Sequence, residues 1–178
     1  DPFKPKFHLN QQVEKIEKTS YGWIVETSIG QKIEAKCLVV AAGAGSFVPR
    51  KPPVENIDNF ENINVYYAIR DKAKFEGKEL LIAGGGDSAL DWTNELSKNS
   101  KVTLIHRRKE FRAAPDSVSK MQELEKNGKI NFLQGQIKQI NESTDNKIKI
   151  IYEKDGSTSD VEVDYLLPFF GLKMELGP

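Results

Sequence analysis

Glu79-Leu80-Leu81-Ile82-Ala83-Gly84-Gly85-Gly86-Asp87-Ser88-Ala89 is the stretch on which the reading of the whole chain turns. Glu79–Ala83 has the length and apolar character of a buried strand, and three glycines then stop it. Asp87 or Ser88 can open a helix whose buried stripe is expected at Ala89, Trp92, Thr93 and Leu96, at spacings of three and four. Gly84 to Ala89 therefore fits the pattern G-x-G-x-x-A between a strand and a helix. Gly84 permits the tight turn out of the strand. Gly86 carries no side chain and lets an anion approach the backbone, and Ala89 allows close packing of helix on sheet. The amides of the first helical turn are unpaired donors at the positive end of the helix dipole, which suits a phosphate. A glycine triplet alone is weak evidence; the strand before it and the amphipathic helix after it are what point to a dinucleotide.

Working outward, Lys101–Ile105 is the next strand. Pro115-Asp116 starts a second helix with Val118, Met121 and Leu124 on one face, and Asn127-Gly128 ends it. Ile130–Leu133 completes a β-α-β-α-β unit. A meander follows at Gly135–Asn141, Lys147–Glu153 and Asp160–Asp164, and Tyr165–Phe170 is a last buried strand ending at Gly171. Upstream, a polar run containing Phe7, Leu9, Val13 and Ile16, then Gly22–Thr27 and Lys32–Glu34, reads as a small antiparallel meander. It feeds Cys37–Ala42, an apolar run of the kind buried in a parallel sheet. Phe47 to Asn59, with Pro49, Pro52 and Pro53 around Arg50 and Lys51, has linker composition and marks a boundary. The expected class is α/β, with a Rossmann-like nucleotide-binding domain of βαβαβ plus a β-meander.

In such folds a carboxylate about 20 positions beyond the glycine turn accepts the adenosine ribose hydroxyls. Here that place reads His106-Arg107-Arg108-Lys109-Glu110-Phe111-Arg112, four cations against one carboxylate, with no acidic residue between Lys101 and Lys109. A carboxylate would repel a 2′-phosphate, whereas guanidinium forks bind it with charge-assisted hydrogen bonds. Taken alone the run reads as a solvated charged surface; at the tip of the second strand it reads as NADP(H) selection.

Formal net charge is zero, which gives no bulk electrostatic reason to expect nucleic acid or an anionic membrane as partner. The basic loop is short, and Phe111 is its one stacking partner for a base. No apolar run reaches the ~20 residues that span a bilayer. One cysteine, Cys37, excludes an internal disulfide or CxxC pair, and two histidines make a metal cage improbable. Cys37 opens the apolar run and is expected to serve as a small buried hydrophobe.

The glycine turn followed by His106-Arg107-Arg108-x-x-x-Arg112 resembles the NADPH domain of the thioredoxin reductase family. That resemblance implies that the turn holds the NADPH pyrophosphate and that Arg107, Arg108 and Arg112 face the 2′-phosphate. It assigns Gly84, Gly85, Gly86, Asp87, Ser88, Ala89, His106, Arg107, Arg108 and Arg112 to the cofactor, together with Ala42 and Gly43 at a connecting strand where the family has Ala-Thr-Gly. Those reductases carry a CxxC pair that a single cysteine cannot form. The chain is therefore more similar to thioredoxin-reductase-like ferredoxin–NADP reductases, as is Leu166-Leu167-Pro168-Phe169-Phe170-Gly171-Leu172.

The implied activity is electron transfer between NADPH and ferredoxin or flavodoxin through FAD, in a cytoplasmic protein that is a homodimer at full length. The flavin itself is the hydride acceptor, so no catalytic residue is named. The implied domains are residues 1–54 as a partial FAD-binding domain, 55–167 as the NADPH-binding domain, and 168–178 as a return into the FAD domain. Gly22 and Gly30 are the only glycines before Cys37, so the fingerprint that would hold FAD is absent, and the chain is expected to be the middle of a longer protein. Two alternatives stay open: a related NADPH flavoenzyme with a quinone or disulfide acceptor, and a non-catalytic NADP(H)-binding module.

Overall fold

The computed structural model describes residues 3–43 and 46–175. The chain divides into two compact units, residues 1–48 with 173–178, and residues 49–172.

In the first unit, β1 (Val13–Thr19), β2 (Gly22–Thr27) and β3 (Lys32–Ala35) form the expected antiparallel meander in the order β1-β2-β3. Its inner face is thin. Val25 and Thr27 are buried, and the Thr27 hydroxyl donates to Gln11 Oε1 at 2.8 Å. Beyond β3 the expected buried strand does not form. Residues 37–42 have no regular structure, Cys37 is exposed, and Val39 and Val40 are 84% and 74% exposed. An apolar run becomes a buried strand only where flanking strands and a covering layer receive it, and residues 37–42 have neither among the described residues. β4 (Ser46–Pro49) pairs with β12 (Leu172–Glu175), where the chain leaves and re-enters this unit.

The second unit carries the decisive stretch. β5 (Glu79–Ala83), β6 (Lys101–His106), β7 (Ile130–Gln134) and β11 (Tyr165–Pro168) form a parallel sheet in the order β11-β5-β6-β7. The pleat sends alternate residues of β5 to opposite sides. Leu80 and Ile82 face the helices α1 (Asp87–Leu96) and α2 (Pro115–Lys126), packing with Ala89, Leu90, Leu104 and Met121. Leu81 and Ala83 face the other way, into a core shared with Ile137, Ile140, Ile148 and Ile150. Those come from the second meander, β8 (Gln136–Glu142), β9 (Ile148–Lys154) and β10 (Ser157–Val163). The layers are thus helices, parallel sheet and antiparallel sheet. Burial of α1 falls on Ala89, Leu90, Thr93 and Leu96, so Leu90 joins the expected stripe, while Trp92 is only partly buried.

Residues 52–59 depart from the linker expectation, and the packed segment runs on to Tyr66. Pro52, Val54, Ile57 and Phe60 are buried, and the last three belong to the core against the meander. The backbone is stitched down at both ends. Glu55 N–H donates to Lys138 O (2.8 Å) and Ile140 N–H to Glu55 O (3.0 Å), while Tyr66 N–H donates to Leu166 O (3.1 Å). The prolines here shape an ordered strap with its own apolar face.

Leu81 is completely buried between the sheet and the meander, whereas Val40 is largely exposed. Leu81→Ala is expected to cost about 2–5 kcal/mol and Val40→Ala within about 0.5 kcal/mol. Urea unfolding of the two variants checks this; comparable losses would contradict the layer assignment.

Candidate functional site

The glycine turn sits where three chain segments converge at the carboxyl ends of the strands. Gly84 N–H donates to Ile105 O at 3.1 Å and Phe169 N–H to Ala83 O at 2.7 Å. Gly84 has φ of +151°, and a Cβ there would lie 2.6 Å from Phe169 O and 2.9 Å from the Ala89 Cβ. The first and last small residues of the motif thus make room for each other, so α1 leaves the sheet at close range. Gly85 is enforced differently: a side chain there would run into the His106 ring. Gly86 is the N-cap of α1, has no side-chain cap, and has open space where a Cβ would project. That void lies in front of the first-turn amides, where a phosphate would sit.

The basic loop folds back over this turn. Arg112 N–H donates to Gly85 O at 2.7 Å. Phe111 stacks on His106 with ring centroids 5.5 Å apart and 28° between planes, and meets Phe132 at 5.5 Å on β7. The anchored aromatic carries the exposed Arg107, Arg108 and Arg112 around it, and none of the three makes an ion pair among the described residues.

One cleft of about 640 Å³ joins these parts, a size in the range of small-molecule sites. Gly84, Gly85, Gly86, His106, Arg107, Arg108 and Arg112 all line it. Around them stand Ala83 and Ile105 at the strand ends, Glu110 and Phe111 of the basic loop, Pro52, Pro53 and Val54 from the strap, Gly135 to Ile137 entering the meander, and Phe169 to Gly171 beyond β11. None of those wall residues was singled out as a site residue from the sequence. The signal available was positional: Gly135 and Gly171 follow β7 and β11 as Gly84 follows β5, at the strand ends where ligands of open α/β sheets bind.

Asp87, Ser88 and Ala89 do not line the cleft. Ala89 is buried in the core beneath the turn, Ser88 is exposed, and Asp87 Oδ1 accepts the Ala114 N–H at 2.7 Å. Ala42 and Gly43 belong to the first unit and are exposed, with φ of +61° at Gly43. Among the described residues of that unit no glycine turn joins a strand to a helix, so nothing there is shaped to cradle the pyrophosphate of FAD. In the cleft the residues do fit a phosphorylated dinucleotide, with open space at Gly86 and three guanidinium groups that make no ion pair among the described residues.

His106 is held below its ordinary pKa of 6.5, first by burial and then by Arg107, Arg108 and Arg112; a hydrogen bond to the Glu110 backbone opposes the shift. The unfolded chain therefore takes up a proton at higher pH than the folded one. The contribution of this group is complete above pH 6.5 and is lost as pH falls through the depressed native value. Urea midpoints measured from pH 7.5 downward are expected to decline more steeply for the parent than for His106→Gln; parallel curves would refute it.

The glycines differ in what they are needed for. Gly84→Ala meets both strain and a backbone clash, and is expected to destabilise by about 2–4 kcal/mol. Gly86→Ala, in open space at an N-cap, should cost about 1 kcal/mol or less. Thermal melts of the two variants without nucleotide decide the point, and equal shifts would count against it.

Residues 1–176 match the family described as pyridine nucleotide-disulphide oxidoreductase. The ferredoxin–NADP reductase of Nitrobacter winogradskyi is 51% identical over 181 residues, which cover 99% of this chain and 53% of that protein. That of Rickettsia felis is 44% identical over 179 residues, with 99% and 53% covered. Among solved structures, the thioredoxin reductase of Lactococcus lactis superposes with a TM-score of 0.76 at 27% identity, over 91% of this chain and 53% of that one. The chain spans about half the length of the curated relatives it matches. It carries an α/β fold with a four-stranded parallel sheet, and it belongs to the pyridine nucleotide-disulphide oxidoreductase family.

Proposed function

We propose that this chain is the NADPH-binding part of a flavoenzyme that, at full length, transfers electrons between NADPH and ferredoxin or flavodoxin through FAD. One observation carries the reading: a single cleft is floored by the glycine turn and rimmed by Arg107, Arg108 and Arg112. The turn is suited to the pyrophosphate and the guanidinium groups to the 2′-phosphate, with no carboxylate at the ribose position to oppose it. Bound NADPH supplies a hydride; the residues named here bind and orient the nucleotide and leave the chemistry to the cofactors.

Residues 55–167 would form the nucleotide domain. Residues 1–54 and 168–178 would belong with a flavin domain, with FAD held by parts of the full-length protein beyond this chain. Ala42 and Gly43 would line the flavin side. The reductase names of the relatives support ferredoxin as carrier, and the single cysteine removes an internal dithiol route. The reading includes a cytoplasmic enzyme that is a homodimer at full length; no helix among the described residues is long and apolar enough to cross a membrane.

Arg107→Ala and Arg108→Ala are each expected to weaken NADPH binding by about 1.5–3 kcal/mol, the scale of a hydrogen bond to a charged group, while NADH affinity hardly changes. Calorimetric titration of the purified chain with both nucleotides tests it. An unsubstituted chain that shows no preference for NADPH would sink the assignment.

A further inference from the structure

We infer that Asp87 is a positioning residue that sets the preference for the 2′-phosphate without touching the nucleotide. The inference rests on the NADPH reading above. Asp87 occupies the first turn of α1, where a carboxylate would compete with a bound phosphate for the positive helix end. Its side chain is committed elsewhere. Oδ1 accepts the Ala114 N–H at 2.7 Å, and Asp87 is absent from the cleft wall that its neighbours Gly84, Gly85 and Gly86 build.

Ala114 ends the basic loop and caps α2, so the bond ties the start of one helix to the start of the other. Two further contacts extend it along the same face of α1. Ser117 Oγ donates to Asp91 Oδ1 at 2.6 Å, and Asn94 Nδ2 donates to Ser117 O at 3.0 Å. Residues 87, 91 and 94 are spaced by four and three, one stripe on one side of the helix. The loop is thereby held at both its later points, Arg112 N–H on Gly85 O and Ala114 N–H on Asp87. The distance between the phosphate turn and the guanidinium groups is fixed by the protein before any nucleotide arrives, which lowers the ordering cost of binding.

Three variants of the chain test this, each titrated with NADPH and with NADH. Asp87→Ala removes the acceptor. Ala114→Pro removes the donor from the other side, at a backbone (φ −55°, ψ 139°) that already suits proline. Asp87→Asn keeps a carbonyl acceptor and removes the charge. Asp87→Ala and Ala114→Pro should each weaken NADPH about tenfold, the scale of one hydrogen bond that orders a charged contact, and NADH less than about twofold. Asp87→Asn should hold the NADPH-to-NADH ratio within about twofold of the parent.

Tighter binding of both nucleotides by Asp87→Ala and Asp87→Asn alike would mean that the carboxylate faces the pyrophosphate, and would overturn the inference. So would equal weakening of both nucleotides, or lowered melting temperatures with an unchanged ratio. A parent chain without NADPH preference would instead overturn the functional reading itself, so the two failures are told apart by the first titration.

Discussion

The close approach of α1 to the end of β5 is the constraint from which the rest follows. Gly84 can adopt its φ of +151° and lie against Phe169 O only because it has no side chain, and Ala89 sets no more than a methyl group beside it. With those two positions small, the helix N-terminus lies directly over the strand ends. Ile105 and Phe169 then bond into the same turn through Gly84 N–H and Ala83 O. The floor of the cleft is therefore made of backbone under tertiary restraint, and backbone so held keeps its amides aimed without further support.

On that floor the basic loop solves an electrostatic problem. Guanidinium groups a few ångströms apart in water repel by about 1 kcal/mol or less per pair, and an unrestrained loop would let them disperse. Phe111 prevents this by burying an aromatic anchor between His106 and Phe132, and the backbone bond from Arg112 to Gly85 closes the loop on the turn. His106 serves as packing here, and burial with the surrounding cations lowers the proton affinity of its ring. A charged imidazole at that place would add to the repulsion. The apolar contacts thus maintain a positive concentration whose relief would come from a bound anion.

Much of this was legible in the sequence, for identifiable reasons. Glu79–Ala83, Ala89 to Leu96 and the His106-Arg107-Arg108 stretch are local patterns: a short apolar run, apolar residues at spacings of three and four after a glycine stop, and a run of basic residues. Each depends on neighbours within a few residues. What could not be read depends on distant ones. Val39 and Val40 look like strand core, but burial needs a receiving surface that no local pattern supplies. Pro52, Val54, Ile57 and Phe60 look like linker because their apolar residues follow no regular period, and only the bonds to Lys138, Ile140 and Leu166 reveal the strap. The bond from Asp87 to Ala114 joins positions 27 apart in a segment where sequence reasoning sees only a helix start. The glycine turn and basic loop that meet in the candidate cleft were therefore readable, while the cleft's walls and the clasp at Asp87 were not.

The two ends of the parallel sheet show why unpaired charge marks the functional one. At the amino ends, charges are matched. Glu79 meets Lys101 at 3.0 Å and Lys147 at 2.6 Å, and these partners hold its carboxyl below the usual carboxylate range. Asp164 accepts the Glu79 N–H at 2.8 Å, and the cleft of about 580 Å³ at that end mixes Lys78 and Lys147 with Glu142, Asp145 and Asp164. Such exposed pairs contribute little individually, and the cleft there carries both signs of charge. At the carboxyl ends, Arg107, Arg108 and Arg112 have no ion-pair partner among the described residues and share a cleft with unprotected helix amides. Both ends are charged and both are hollow. At the carboxyl ends three guanidinium groups outnumber the one carboxylate of Glu110 around the cleft and stand beside backbone donors in fixed directions, and that asymmetry, built into one sheet, marks the candidate site.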